Sequence, residues 1–83
     1  MEKNPIEVMM AEAPEVIKAY DELSKAIYSG KGLDEKTKQL IYIAMRAAEG
    51  DTGAAMMHAP MAKAAGATRD EVKDAILMTL LVS

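Results

Sequence analysis

Three punctuation points, Ser29-Gly30-Lys31-Gly32, Gly50-Asp51 and Gly66-Ala67-Thr68, cut the chain into short stretches whose apolar residues recur three and four positions apart. That spacing stacks side chains on one face of a helix, whereas a half-buried strand needs alternation at every second position. The expectation is an all-α chain of short helices.

Asn4, Pro5 and Glu7 read as the start of a first, short helix, because proline suits the first helical position and asparagine can accept from early backbone amides. Pro14 cannot donate a backbone N–H and disfavours helical geometry at Ala13, so the chain is expected to turn there. A second helix then runs from about Pro14 to Tyr28, with Val16, Tyr20, Leu23 and Ile27 on one face, and the Gly30 and Gly32 region ends it through left-handed conformations. Asp34 caps the next helix, with Leu33 as a possible staple, and the segment reaches Gly50. Its expected buried stripe is Leu40, Ile41, Ala44, Met45, Ala47 and Ala48. Gln39, Tyr42 or Ile43, Arg46 and Glu49 form a mixed stripe bordering that core.

Asp51 or Thr52 can cap a further helix carrying Met57, His58, Met61, Ala62 and Ala65, which Gly66 stops. Pro60 lies inside it and predicts a kink just after His58. Thr68 and Glu71 have the spacing of a capping box, the clearest helix start in the chain. From Ala75 to Val82 only Thr79 interrupts an apolar run, and a helix apolar all round must be covered on every side. A second copy of the chain would supply that cover, and so would a segment beyond Ser83.

The chain has 83 residues, 51% of them hydrophobic and 4% aromatic, which suits one domain, residues 1–83, with an aliphatic and methionine core. A domain this small without disulfides or metal often gains stability by self-association. A net charge of -3 with no basic stripe argues against a nucleic-acid partner. No run of about 18 apolar residues and no signal-like N-terminus appears, so the expectation is a soluble cytoplasmic protein with no membrane partner.

The absence of cysteine removes the thiolate nucleophile, the disulfide and the thiolate zinc site from consideration. His58 is the one histidine. Imidazole is the side chain whose unperturbed pKa, about 6.5, lets it give and take protons at ordinary pH, so acid–base chemistry would pass through this position. The alternative is a half-buried histidine satisfied by a backbone carbonyl. With no second histidine and no cysteine, neither a metal nor a cofactor is expected.

The run His58-x-x-x-Ala62-x-x-x-Gly66-Ala67-Thr68-x-Asp70-Glu71-Val72 follows Leu33-Asp34-x-Lys36-Thr37-Lys38-x-Leu40-Ile41-x-Ile43-Ala44. Together they resemble the carboxymuconolactone decarboxylase and alkylhydroperoxidase-D superfamily over roughly Leu33 to Val82, and Glu12-Ala13-Pro14 is similar to its lead-in. The resemblance implies a small helical bundle of the alkylhydroperoxidase-D-like type that assembles as a homotrimer or homohexamer, with a pocket around the histidine near subunit contacts. His58 takes that role by position. Where the peroxidase branch carries two thiols this chain has Asp51 and Ala54, and where that branch has a proton-relaying glutamate it has Gln39.

Those departures argue against peroxide reduction, which needs one thiolate to attack and a second thiol to resolve the product. The resemblance therefore implies the decarboxylase branch: proton transfer on a small organic acid or lactone, with His58 as acid or base and Gln39 at the substrate's edge. Arg46 is the candidate anion-binding group on charge and helix face, and an ion pair with Glu49 is its ordinary alternative. Asp51 reads as a helix cap. Met56, Met57 and Met61 could line a pocket, and methionine at helical spacing more often fills a core. A fold that has lost its chemistry and serves as a binding or assembly module is the rival reading.

Overall fold

The computed structural model describes residues 5–82, so the Asn4 cap expected for the first helix lies outside the described residues. All regular structure among them is helical. The chain divides into two compact units, one ending at Gly30 and one beginning at Lys31.

The first unit holds α1 (Pro5–Glu12) and α2 (Pro14–Tyr28). The break falls at Ala13, whose φ of -141° and ψ of 60° lie outside the helical region, as the proline that follows it requires. Pro14 opens α2 at its first position, where no intrahelical N–H is needed. Val16, Tyr20, Leu23 and Ile27 share a face as expected, and all four are exposed. The expected left-handed ending is absent, because neither Gly30 nor Gly32 has a positive φ. Ser29 closes α2 instead: its N–H donates to the Lys25 carbonyl and its hydroxyl donates to the Ala26 carbonyl at 2.7 Å.

The second unit holds α3 (Glu35–Ala48), α4 (Thr52–Ala64), α5 (Arg69–Met78) and a closing 3-10 turn (Thr79–Leu81). Each start is capped by the side chain the sequence supplies. Asp34 accepts from the Thr37 N–H at 2.7 Å, Asp51 from the Ala54 N–H at 3.0 Å, and Thr68 from the Glu71 N–H at 3.1 Å. The Glu71 carboxylate returns to the Thr68 N–H at 2.9 Å and completes the capping box.

Both interhelical corners are Schellman motifs. Gly50, at φ 82°, donates to the Ala47 carbonyl while Asp51 donates to that of Arg46. Gly66, at φ 98°, donates to the Lys63 carbonyl while Ala67 donates to that of Ala62. A side chain in this left-handed region would be strained, and glycine enters it without that cost. Ala62 and Ala67, which bracket the second corner, are both in the core.

That core is Ile43, Ala55, Ala62 and Ala67, with Leu40 and Val72 packed against it. Alanine at 55 and 62 gives α4 a low-profile face, on which the larger Ile43 of α3 comes to rest at 1% exposure. This corrects the expected stripe on α3. At 100° per residue Gln39 and Ile43 point inward, and Ile41 and Met45 point away, Met45 at 53% exposure. Gln39 and Ile43 are thus the buried residues of α3, with Leu40 packed against the same core, since packing against α4 selected the face that bears Ile43.

One further expectation needs correction. The methionines of α4 are not core, with Met57 78% exposed and Met56 and Met61 also exposed, because Ala55 and Ala62 occupy the inward stripe. α4 runs as one helix from Thr52 to Ala64 with Pro60 inside it. Beyond α5 the apolar residues Leu80, Leu81 and Val82 are exposed.

Candidate functional site

His58 lies on the flank of α4 that turns toward α3. Its Nδ1 stands 3.4 Å from Oε1 of Gln39, a residue 19 positions earlier in the chain. The Tyr42 ring covers the imidazole, with centroids 4.0 Å apart and planes inclined by 35°. On a helical projection Glu35, Gln39, Tyr42 and Arg46 fall on one flank of α3, so a single helix edge supplies every α3 contact made around the ring.

Each of these contacts is held by a neighbour one turn away. The Gln39 amide is buried, and its Nε2 donates to Oε1 of Glu35 at 3.1 Å. Arg46 donates from Nε to the Tyr42 hydroxyl at 3.0 Å, and its guanidinium carbon stands 5.3 Å from the Tyr42 ring centroid. Its Nη1 meets Glu49 Oε2 at 3.3 Å and Asp51 Oδ2 at 4.0 Å. The Tyr42 hydroxyl is the chief influence raising the Arg46 pKa above its ordinary value, and Glu49 and Asp51 add to it.

Of the three residues singled out from the sequence, Gln39 and His58 thus touch directly, while Arg46 reaches His58 only through Tyr42. Sequence reasoning missed Glu35 and left Tyr42 undecided against Ile43. Their signal was present: Glu35 precedes Gln39, and Tyr42 precedes Arg46, by the four residues that align side chains along a helix. The expected Arg46 to Glu49 ion pair is formed. Asp51 and Ala54 are joined as a helix cap.

An open groove of about 830 Å³ runs between α4 and α5, floored by Met56, Ala59, Val72 and Leu77 with Lys63, Arg69 and Lys73 beside it. It uses the other flank of α4, and His58, Gln39 and Arg46 take no part in its lining. Among the described residues no group of three or more His, Cys, Asp or Glu side chains could hold a metal ion.

The sequence model described as the carboxymuconolactone decarboxylase family matches residues 14–82. The chain is also similar to an uncharacterized protein of Methanocaldococcus jannaschii, with 38% identity over 69 residues. That alignment covers 83% of this chain and 64% of the relative, so the chain spans about two thirds at most of the relative's length. No solved structure matches it.

Proposed function

The chain belongs to the carboxymuconolactone decarboxylase family, and on that premise we propose that His58 is its general acid or base, moving a proton on a small organic acid or lactone. The observation that carries this reading is the lone imidazole clasped between the Gln39 amide and the Tyr42 ring of the facing helix. Proton transfer needs an imidazole held in one orientation, so that its lone pair meets the substrate without a search. Arg46 is held through Nε and Nη1, and Nη2 is the nitrogen we assign to a substrate carboxylate. Gln39 lies beside the same imidazole, and we place it at the substrate's edge.

We further propose that copies of the chain complete the site by associating as a trimer or hexamer. Large apolar side chains exposed on α2, α3 and the C-terminal turn support this, since a monomer of this size rarely leaves so many uncovered. No helix among the described residues is long and apolar enough to cross a membrane, and a cytoplasmic location goes with this reading.

Turnover of a panel of lactones and keto acids by the wild type and by His58→Ala tests the catalytic role. The expected result is a loss of roughly 10²- to 10⁴-fold on substitution, the usual contribution of a positioned acid or base. Equal rates from both proteins, or none from either, would defeat it. The rival reading, a helical binding or assembly module without chemistry, is favoured by the amide at Gln39, which cannot titrate. It expects ligand binding that survives His58→Ala. Thiol peroxidase chemistry has no nucleophile in this cysteine-free chain.

A further inference from the structure

The two hydrogen bonds of the Gln39 amide run in opposite senses, and only one assignment of protons satisfies both. A carboxylate accepts and cannot donate, so Glu35 Oε1 obliges the Gln39 NH2 group to face it. That turns the amide oxygen, which also only accepts, toward Nδ1 of His58. The proton of the neutral imidazole must then sit on Nδ1.

We infer that Glu35, acting through the Gln39 amide, is a positioning residue that holds His58 in the Nδ1–H tautomer and leaves Nε2 as the nitrogen that exchanges a proton with the substrate. The part concerning substrate rests on the proposed role of His58; the tautomer does not. An unconstrained histidine in water favours the opposite form, Nε2–H, so the wild-type preference is imposed by the fold. The Tyr42 ring packed against the imidazole opposes its rotation and keeps Nδ1 on the Gln39 side. During turnover Nε2 takes a proton from a substrate carbon or oxygen acid, and the ring becomes imidazolium. Its Nδ1–H continues to donate to Gln39 throughout, and the same proton returns from Nε2 to the product, so no bond within the relay has to break.

The charge at position 35 should therefore decide which way the amide faces. In Glu35→Lys the ammonium donates to the amide oxygen, the NH2 group turns to His58, and Nδ1 must accept, which drives the ring to Nε2–H. A purely structural role for Glu35 gives no such inversion.

Because His58 is the one histidine, long-range proton–nitrogen NMR correlation of the uniformly labelled full chain shows a single imidazole. Spectra recorded at alkaline pH, where the ring-nitrogen shifts no longer change with pH, report the neutral ring. The expected result is Nδ1–H in the wild type, with the two ring-nitrogen resonances exchanging places in Glu35→Lys. In Glu35→Ala, which keeps the fold testable should the lysine variant not fold, the ratio should move to that of unconstrained histidine. A wild type that is chiefly Nε2–H, or a ratio left unchanged by folded Glu35→Ala, overturns the inference. No substrate enters this measurement, so its outcome is separate from the His58→Ala rate comparison.

Discussion

Gln39 of α3 and His58 of α4 meet at 3.4 Å, amide oxygen to Nδ1, in a part-buried contact beside the core of the second unit. Gln39 is the buried polar residue of that unit, one turn from Ile43 on the inward stripe of α3. A buried amide is costly unless both its ends are hydrogen-bonded. Glu35 and His58 supply those two partners, and the site is therefore part of the packing between α3 and α4.

The Tyr42 ring and its hydroxyl have separable roles. Tyr42→Phe keeps the ring over His58 and removes the acceptor for Arg46, so it should cost less stability than Tyr42→Ala. The difference should include about 0.5–1.5 kcal/mol for the aromatic pair. Urea unfolding of both variants measures it, and equal losses would show that the ring contact contributes nothing.

The inward face of α3 is testable by comparing two isoleucines two positions apart. Ile43→Ala should lose about 2–5 kcal/mol, as buried large-to-small changes do. Ile41→Ala in a monomeric background should stay within about 0.5 kcal/mol of the wild type. Reversal of that order in chemical denaturation would place the core on the opposite face.

Gly66 and Gly32 both have open space where a Cβ would be built, and only Gly66 has a positive φ. Gly66→Ala should cost about 1–2 kcal/mol through backbone strain alone. Gly32→Ala should be neutral or stabilise slightly, by up to about 1 kcal/mol, because it lowers the freedom of the unfolded chain. Thermal unfolding midpoints that fall equally in both variants would rule out this account of the corner.

The pair between Lys36 Nζ and Glu71 Oε2, 2.9 Å apart, ties α3 to α5 and gives stability a sign in pH. The Thr68 backbone N–H first, then Lys36, holds the Glu71 carboxyl below its ordinary value of 4.5. The bond to Glu71 holds Lys36 above 10.5. A carboxyl depressed on folding stabilises above its unfolded value, and the benefit is lost as pH falls through the folded value. For the raised amine the benefit is present below its unfolded value and lost as pH rises through the folded one. Glu71→Gln should therefore shrink the loss of stability between about pH 5 and pH 3, with a modest effect because both side chains are about one third exposed. Urea midpoints across that range provide the check, and an unchanged acid limb would contradict it.

Self-association should depend on apolar side chains that the isolated chain leaves in water. Met45 on the outer face of α3 and Leu81 in the closing turn, 53% and 77% exposed, are suitable probes. Met45→Glu with Leu81→Glu should lower the mass measured by sedimentation at micromolar concentration while the helical circular dichroism persists. A wild type that sediments as a monomer would defeat the proposal outright.

Helix limits were legible in the sequence because each is settled within a few residues of backbone. Asp34, Asp51 and Thr68 accept from amides three positions on, and Gly50 and Gly66 take the left-handed corners that a Schellman motif requires. The inward face of α3 was not legible, since Ile41 and Met45 are as apolar as Ile43 and composition ranks them alike. Only the low surface of Ala55 and Ala62 on the neighbouring helix distinguishes them.

The same division holds at the site. Sequence by itself determined that the chain holds one imidazole and no thiol, because residue identity alone decides which side-chain groups are present. Tertiary structure decided that Gln39 and Tyr42 clasp the ring, and that Glu35 stands behind the amide. Those partners depend on how α3 rotates against α4, and that rotation minimises the energy of a packed interface rather than of either helix alone.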